Sequence, residues 1–126
     1  MSDSELQKIG EAKRRQVLGD AHVDRAQQNL TDIDAPFVEM ITRSAWGSVW
    51  AEDQISDRER SMITLALLAA TGNYNELPMH IRATANTGAS RDDIREVFQH
   101  VAIYAGVPCA NHAVQIAKET FAEMDG

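Results

Sequence analysis

The chain has 126 residues and a mass of 13.9 kDa, with 44% hydrophobic and 25% charged residues, the proportions of one ordinary globular domain. A formal net charge of -7 argues against a general nucleic-acid binder, which needs a basic face to neutralise phosphates, yet leaves room for a locally cationic site that holds a small anion. The single cysteine, Cys109, excludes an intrachain disulfide and points to a reducing compartment.

Low proline and glycine content, no Asn-Gly hairpin dipeptide and no sustained period-2 alternation predict helices throughout. Residues 4 to 17 read as a helix with Leu6, Ile9 and Val17 apolar, a basic run at Lys13-Arg14-Arg15, and Gly19 as its end. This charged, amphipathic stretch lacks the apolar run of a signal peptide. A second helix over 21 to 30 places Val23, Ala26 and Leu30 at helical spacing. Asp34 is a plausible N-cap for a third helix, 35 to 49, with Pro36 in its first turn. Its apolar residues Phe37, Met40, Ile41, Ala45 and Val49 follow the rhythm of one buried face.

Ser56-Asp57-Arg58-Glu59 fits a capping box and opens an apolar helix to Ala70, closed by Gly72. Its apolar run, Met62 to Ala70, is interrupted by Thr64 and too short to span a bilayer, so a cytoplasmic protein is expected. A short helix over 76 to 87 follows, bounded by Pro78 and Gly88. Ser90-Arg91-Asp92-Asp93 is a second box-like start, with Ile94, Val97, Phe98, Val101 and Ala102 facing inward and Gly106 ending the turn. Pro108 starts the last helix, whose apolar stripe is Ala113, Ile116, Ala117 and Phe121. An all-α, single-domain helical bundle over residues 1–126 is the expected architecture.

Familiar catalytic motifs are missing: there is no Gly-rich phosphate loop, GxSxG, HExxH or CxxC. His22, His80, His100 and His112 are scattered, and no pair has the i, i+3 or i+4 spacing of a metal-binding face, so no metal is expected. Glu59 reads either as a capping glutamate or as a carboxylate that orients or deprotonates a catalytic histidine. His80 reads as a hydrogen-bonded structural residue or an acid. Arg82, two residues on and about 200° around the helix, reads as a salt-bridge residue or an anion clamp. His112 is expected in the first turn of the last helix, where the positive helix end helps hold anions. Trp46 and Trp50 lie one turn apart and default to packing. Arg14 and Arg15 read more readily as a solvated helix face than as a ligand clamp.

Five segments taken together go further: LGDAHVDRA (18–26), DAPFVEMITRSAWGSVW (34–50), RERSMITLALLAA (58–70), MHIRATANTGAS (79–90) and YAGVPCANHA (104–113). In order and in combination they resemble the carboxymuconolactone decarboxylase family, across about residues 12–121. The wider superfamily of alkylhydroperoxidase D-like proteins carries a glutamate, then a CxxC followed by histidine. Glu59 and His80 match the glutamate and the histidine, whereas the cysteines are absent, and thiol peroxidase chemistry requires a thiolate with a resolving partner.

The resemblance implies an alkylhydroperoxidase D-like bundle assembled into a closed ring, a homo-oligomer with a hexamer first and a trimer second. It implies cofactor-free decarboxylation of a small anionic lactone in the protocatechuate branch of the 3-oxoadipate pathway, without a nucleic-acid or membrane partner. It gives His80 the acid or oxyanion-donor role, with Glu59 orienting it and His112 as alternative proton donor. Arg82 becomes the first candidate to clamp a substrate carboxylate, with Arg15 or Arg43 as a second cation, and Trp46 and Tyr104 as apolar walls. The rival readings are a peroxide reductase of the same superfamily and a non-catalytic helical oligomer that binds an anion.

Overall fold

In the computed structural model, which describes residues 1–126, every regular element is helical. Contacts divide the chain into two units, Met1–Ser56 and Asp57–Gly126.

The first unit begins with α1, Asp3–Leu18, opened by a capping box at Ser2 and Glu5 that the expected helix start at residue 4 left out. Ser2 Oγ accepts from Glu5 N at 3.1 Å while the Glu5 carboxylate accepts from Ser2 N at 3.1 Å. Gly19, at φ 91°, ends α1 as expected and leads directly into α2, Asp20–Gln28. Arg15 holds the two helices at their corner, its guanidinium 3.1 Å from Asp20 and 2.9 Å from Asp24.

Two expectations for residues 34–49 are corrected. Asp34 makes no capping bond to α3, Ala35–Ile41; its carboxylate instead accepts from Thr31 N at 2.7 Å and Thr31 Oγ1 at 3.1 Å, closing the preceding turn. Those bonds hold the Asp34 carboxyl below its ordinary pKa of 3.8. From Thr42 to Trp50 the chain winds as a π-helix rather than continuing as an α-helix. Ala51 N donates to Trp46 O at 3.0 Å and Ser48 Oγ donates to Arg43 O at 3.2 Å, both five residues back. The packing reason is visible at Gly10, where a Cβ would collide with the carbonyl oxygen of Thr42 and lie 3.1 Å from Gly47 N. Thr42 and Gly47 are five apart and meet the same point on α1, which the wider winding permits. Gly47 completes the contact, since a Cβ there would lie 2.7 Å from Leu6 O.

The buried side chains of this unit are few: Val17, Val23, Trp46 and Trp50 lead, with the two indole rings 5.2 Å apart. The expected apolar face of α3 is not covered within the chain. Phe37 is 60% exposed, Met40 47% and Val49 52%.

The second unit follows its sequence pattern closely. Helix α4 runs Asp57–Ala70, directly after Ser56, and Gly72 at φ 74° closes it while Asn73 N donates to Leu68 O at 2.9 Å. A 3₁₀ turn, Tyr74–Glu76, leads into α5, Leu77–Thr87, with Pro78 in its first turn and Gly88 left-handed at φ 90°. Helix α6, Arg91–Tyr104, carries the expected box: Ser90 Oγ accepts from Asp93 N at 3.0 Å and Asp93 accepts from Ser90 N at 2.8 Å. Helix α7, Val107–Asp125, follows Gly106. Leu65, Ala69, Leu77, Ile81, Ile94 and Phe98 form the centre of one continuous core, joined by Val101, Ala113 and Ala117. Arg58 of α4 reaches the α6 start with bonds of 2.8 and 2.6 Å to Asp93. No helix is long and apolar enough to cross a membrane.

Candidate active site

Glu59 lies in the exposed first turn of α4, and His80 is the fourth residue of α5, half-buried beside the fully buried Ile81 and Leu77. Helices α4 and α5 are joined by a buried contact of 2.7 Å between Ser61 Oγ and Thr87 Oγ1. That contact ties the Glu59 end of α4 to the C-terminal end of α5. Thr87 stands two helical turns beyond His80, roughly 10 Å along the axis.

The N-terminal end of α5 is also approached from α7. The Tyr74 ring lies 4.0 Å from the His112 ring, centre to centre, with the planes tilted by 42°. Further along, Arg82 Nη2 donates to Glu123 Oε2 of α7 at 2.5 Å. Tyr74, Arg82 and His112 therefore belong to the region where the start of α5 and the turn before it run beside α7. His112 is exposed and is the sixth residue of α7, in the second turn rather than the first as expected. The helix starts at Val107, so the unbonded N–H groups of its positive end lie a turn before the imidazole. Cys109, half-buried in that first turn, donates its thiol to Gly106 O at 3.2 Å.

Arg82 therefore has a carboxylate partner already, on an exposed edge, with only one of its N–H donors recorded in a bond. Tyr104 is 79% exposed at the end of α6 and stacks on His100 at 4.8 Å, so it presents a face outward rather than lining a closed wall of this unit. The remaining candidates lie in the first unit. Trp46 is buried against Trp50. Arg15 is engaged by Asp20 and Asp24, which hold its guanidinium above its ordinary pKa. Arg43 is half-buried, 3.3 Å from Gln7 Oε1 and 3.7 Å from Glu39.

Sequence spacing missed Tyr74 and Glu123, because both meet their partners only where α5 and the 3₁₀ turn before it pack against α7. It also passed over Arg14, which stands out by contrast with Arg15. Arg14 is half-buried, no carboxylate pairs with it, and burial followed by the Arg15 charge lowers its pKa.

A helical chain with an uncovered apolar face and a histidine–arginine helix start is the class of molecule that these features define. A profile of the carboxymuconolactone decarboxylase family matches residues 35–119, and the chain belongs to that family. The chain is 40% identical over 124 residues to the 4-carboxymuconolactone decarboxylase of Acinetobacter baylyi, covering 98% of this chain and 92% of that protein. It is 35% identical over 111 residues to the nitrosuccinic acid decarboxylase of Metarhizium robertsii, covering 88% and 78%. A 47-residue match, 49% identical, spans 37% of this chain and 98% of a 4-carboxymuconolactone decarboxylase from Pseudomonas putida.

Proposed function

We propose that the chain is a carboxy-lyase that converts 4-carboxymuconolactone (2-carboxy-5-oxo-2,5-dihydrofuran-2-acetate) to 3-oxoadipate enol-lactone, in the protocatechuate branch of the 3-oxoadipate pathway. The similarity to the Acinetobacter baylyi enzyme over almost the whole of both chains carries this reading. On it, residues 1–126 act as one domain.

The chemistry needs little from outside the substrate. Breaking the bond from the ring carbon to its carboxylate releases CO₂ and sends the electron pair through the ring double bond to the lactone carbonyl oxygen. A proton then adds to the carbon next to that carbonyl, giving the enol-lactone. The conjugated carbonyl is the electron sink, so the reaction requires no cofactor. Nitrosuccinic acid presents the same problem in another form, a diacid whose nitro group can accept the electrons.

Three tasks fall to the protein: hold the surviving carboxylate, stabilise the growing charge on the carbonyl oxygen, and deliver the proton. His80 takes the second or third, its half-buried place strengthening any hydrogen bond it makes. The family resemblance supports Glu59 as its orienting partner; the Tyr74 contact supports His112 as the alternative donor. Arg82 remains a candidate clamp through its uncommitted N–H donors, with Arg15 or Arg43 as the second cation. Trp46 and Tyr104 are candidate apolar walls that lower the dielectric and favour release of a charged carboxylate as CO₂.

Incubation of the pure protein with the carboxylactone, followed by CO₂ release and product absorbance, tests the activity; turnover no faster than buffer overturns it. His80→Ala is expected to lower kcat about 100-fold or more with helicity intact, the scale of a lost acid or oxyanion donor. His22→Ala gives the comparison, and equal small losses would remove His80 from the mechanism.

A closed ring, hexameric first and trimeric second, completes the proposal. The exposed Phe37, Met40 and Val49 of the first unit and Ile63, Leu67 and Val107 of the second support burial against further copies. Native mass spectrometry should find six or three times 13.9 kDa; a monomer at micromolar concentration removes the ring.

A further inference from the structure

Helices α1 and α2 enclose a cleft of about 220 Å³ lined by Glu11, Arg14, Arg15, Val23 and Gln27. An acidic protein with 19 carboxylate side chains against 12 Lys and Arg would be expected to pair every arginine it partly buries. Arg15 follows that expectation, with Asp20 and Asp24. Arg14, its half-buried neighbour, does not: no carboxylate pairs with it, and burial followed by the Arg15 cation lowers its pKa. Glu11, which also lines the cleft, forms no ion pair with Arg14; its carboxylate accepts from Gln7 one turn back, at 3.4 Å. A partly desolvated guanidinium beside a second cation, open to a cleft that Gln27 also lines, is an arrangement that an anion would complete.

We propose that this cleft binds a carboxylate arm of a small organic diacid, with Arg14 as the cation that holds it and Gln27 as a second donor. The identity of the diacid as the decarboxylase substrate rests on the function proposed above; the binding itself does not. The family profile, which begins at residue 35, does not reach the cleft, and the resemblance named Arg15 rather than Arg14 on α1. Arg14 thus replaces Arg15 as the better carboxylate ligand on α1, because Arg15 is already doubly engaged by Asp20 and Asp24.

His22, half-buried on α2, provides a reporter. Its pKa lies below the ordinary value of 6.5, first through burial and then through the charges of Arg14 and Arg25. A carboxylate seated on Arg14 cancels part of that field, so binding raises the His22 pKa.

The test follows the His22 ring by NMR through a pH series of the full chain, with and without succinate, and with the neutral dimethyl succinate as control. A saturable rise in the His22 pKa with succinate and none with the diester is expected, abolished in Arg14→Gln and retained in part in Arg14→Lys. Gln27→Met, which keeps both arginines, is expected to weaken succinate several-fold. No saturable response in the unaltered chain, or an equal response in folded Arg14→Gln, overturns the proposal. In kinetics with the carboxylactone, Arg14→Gln is expected to raise KM about 10-fold or more, the loss of one charge-assisted hydrogen bond, with kcat changed little. A KM unchanged there would detach the cleft from the substrate. Absence of turnover by the unaltered chain would instead refute the decarboxylase reading, while the succinate titration still decides the cleft.

Discussion

The two units of the chain are held together by different means. In Asp57–Gly126, large side chains from α4, α5 and α6, such as Leu65, Leu77, Ile81 and Phe98, meet the alanines of α7 in one core, and each helix has a glycine or a serine box at its ends. In Met1–Ser56 the main contact is backbone on backbone, where Gly10 and Gly47 let α1 and the π-helical turns approach. The first kind of packing buries a continuous apolar core within the unit; the second buries few large side chains. Both units leave apolar residues outside, such as Phe37 and Met40 in the first and Leu67 and Val107 in the second. One unit is stabilised by what its side chains bury, the other by what two glycines lack.

Three substitutions sharpen this contrast, in decreasing order of expected effect. Phe98→Ala, at a residue 2% exposed, should cost about 3–5 kcal/mol in denaturant unfolding, through lost transfer energy and a cavity. A loss below about 1 kcal/mol would show that the core of the second unit is not what holds it. Gly10→Ala comes next. By helix propensity alone it should stabilise α1 by about 1 kcal/mol. The collision with Thr42 O reverses the sign, and a net loss of about 1–3 kcal/mol is expected, as for overpacking elsewhere. A raised melting temperature would mean that α1 and the π-helical segment are not in backbone contact.

The smallest of the three is Asp93→Asn, which breaks the Arg58 fork and weakens the Ser90 cap. Arg58 first, and then the Ser90 N–H, hold the Asp93 carboxyl far below its ordinary pKa of 3.8. A depressed carboxylate pKa contributes stability that is present above the unfolded value and lost as pH falls through the folded one. The melting-temperature difference between the original chain and Asp93→Asn should therefore be full at neutral pH and shrink progressively below about pH 4. A difference that is constant from pH 7 to pH 2 would assign the effect to geometry rather than to charge.

The second unit was legible because its signals are local. Ser90 three residues before Asp93, Pro78 and Gly88 around α5, and apolar spacing along α6 each act within a few residues. In the first unit the same reasoning found helices but not their winding. Nothing within residues 42–50 announces a π-helix; its close contact is with Gly10, over thirty residues away. The apolar rhythm of α3 was equally readable, yet it described an outward face.

The candidate site divides in the same way. Glu59, His80 and Arg82 were found from their places in the order of segments, and His112 from its nearness to a helix start. Their partners were not. Glu123 lies 41 positions from Arg82, and Tyr74 meets His112 across two helices. Arg14 and Arg15 are adjacent and identical in type, so no pattern separates them. Only the placement of Asp20 and Asp24 on α2 gives one a partner and leaves the other without.

By itself, then, the sequence determined the helical class, nearly all helix boundaries and the family, because caps, glycines and periodicity act over a turn or two of chain. The tertiary structure decided which arginine is paired, where the backbone winds wide and which apolar face stays uncovered. Those outcomes depend on groups far apart in sequence, and the energy of a close contact is fixed only where the chain folds to make it.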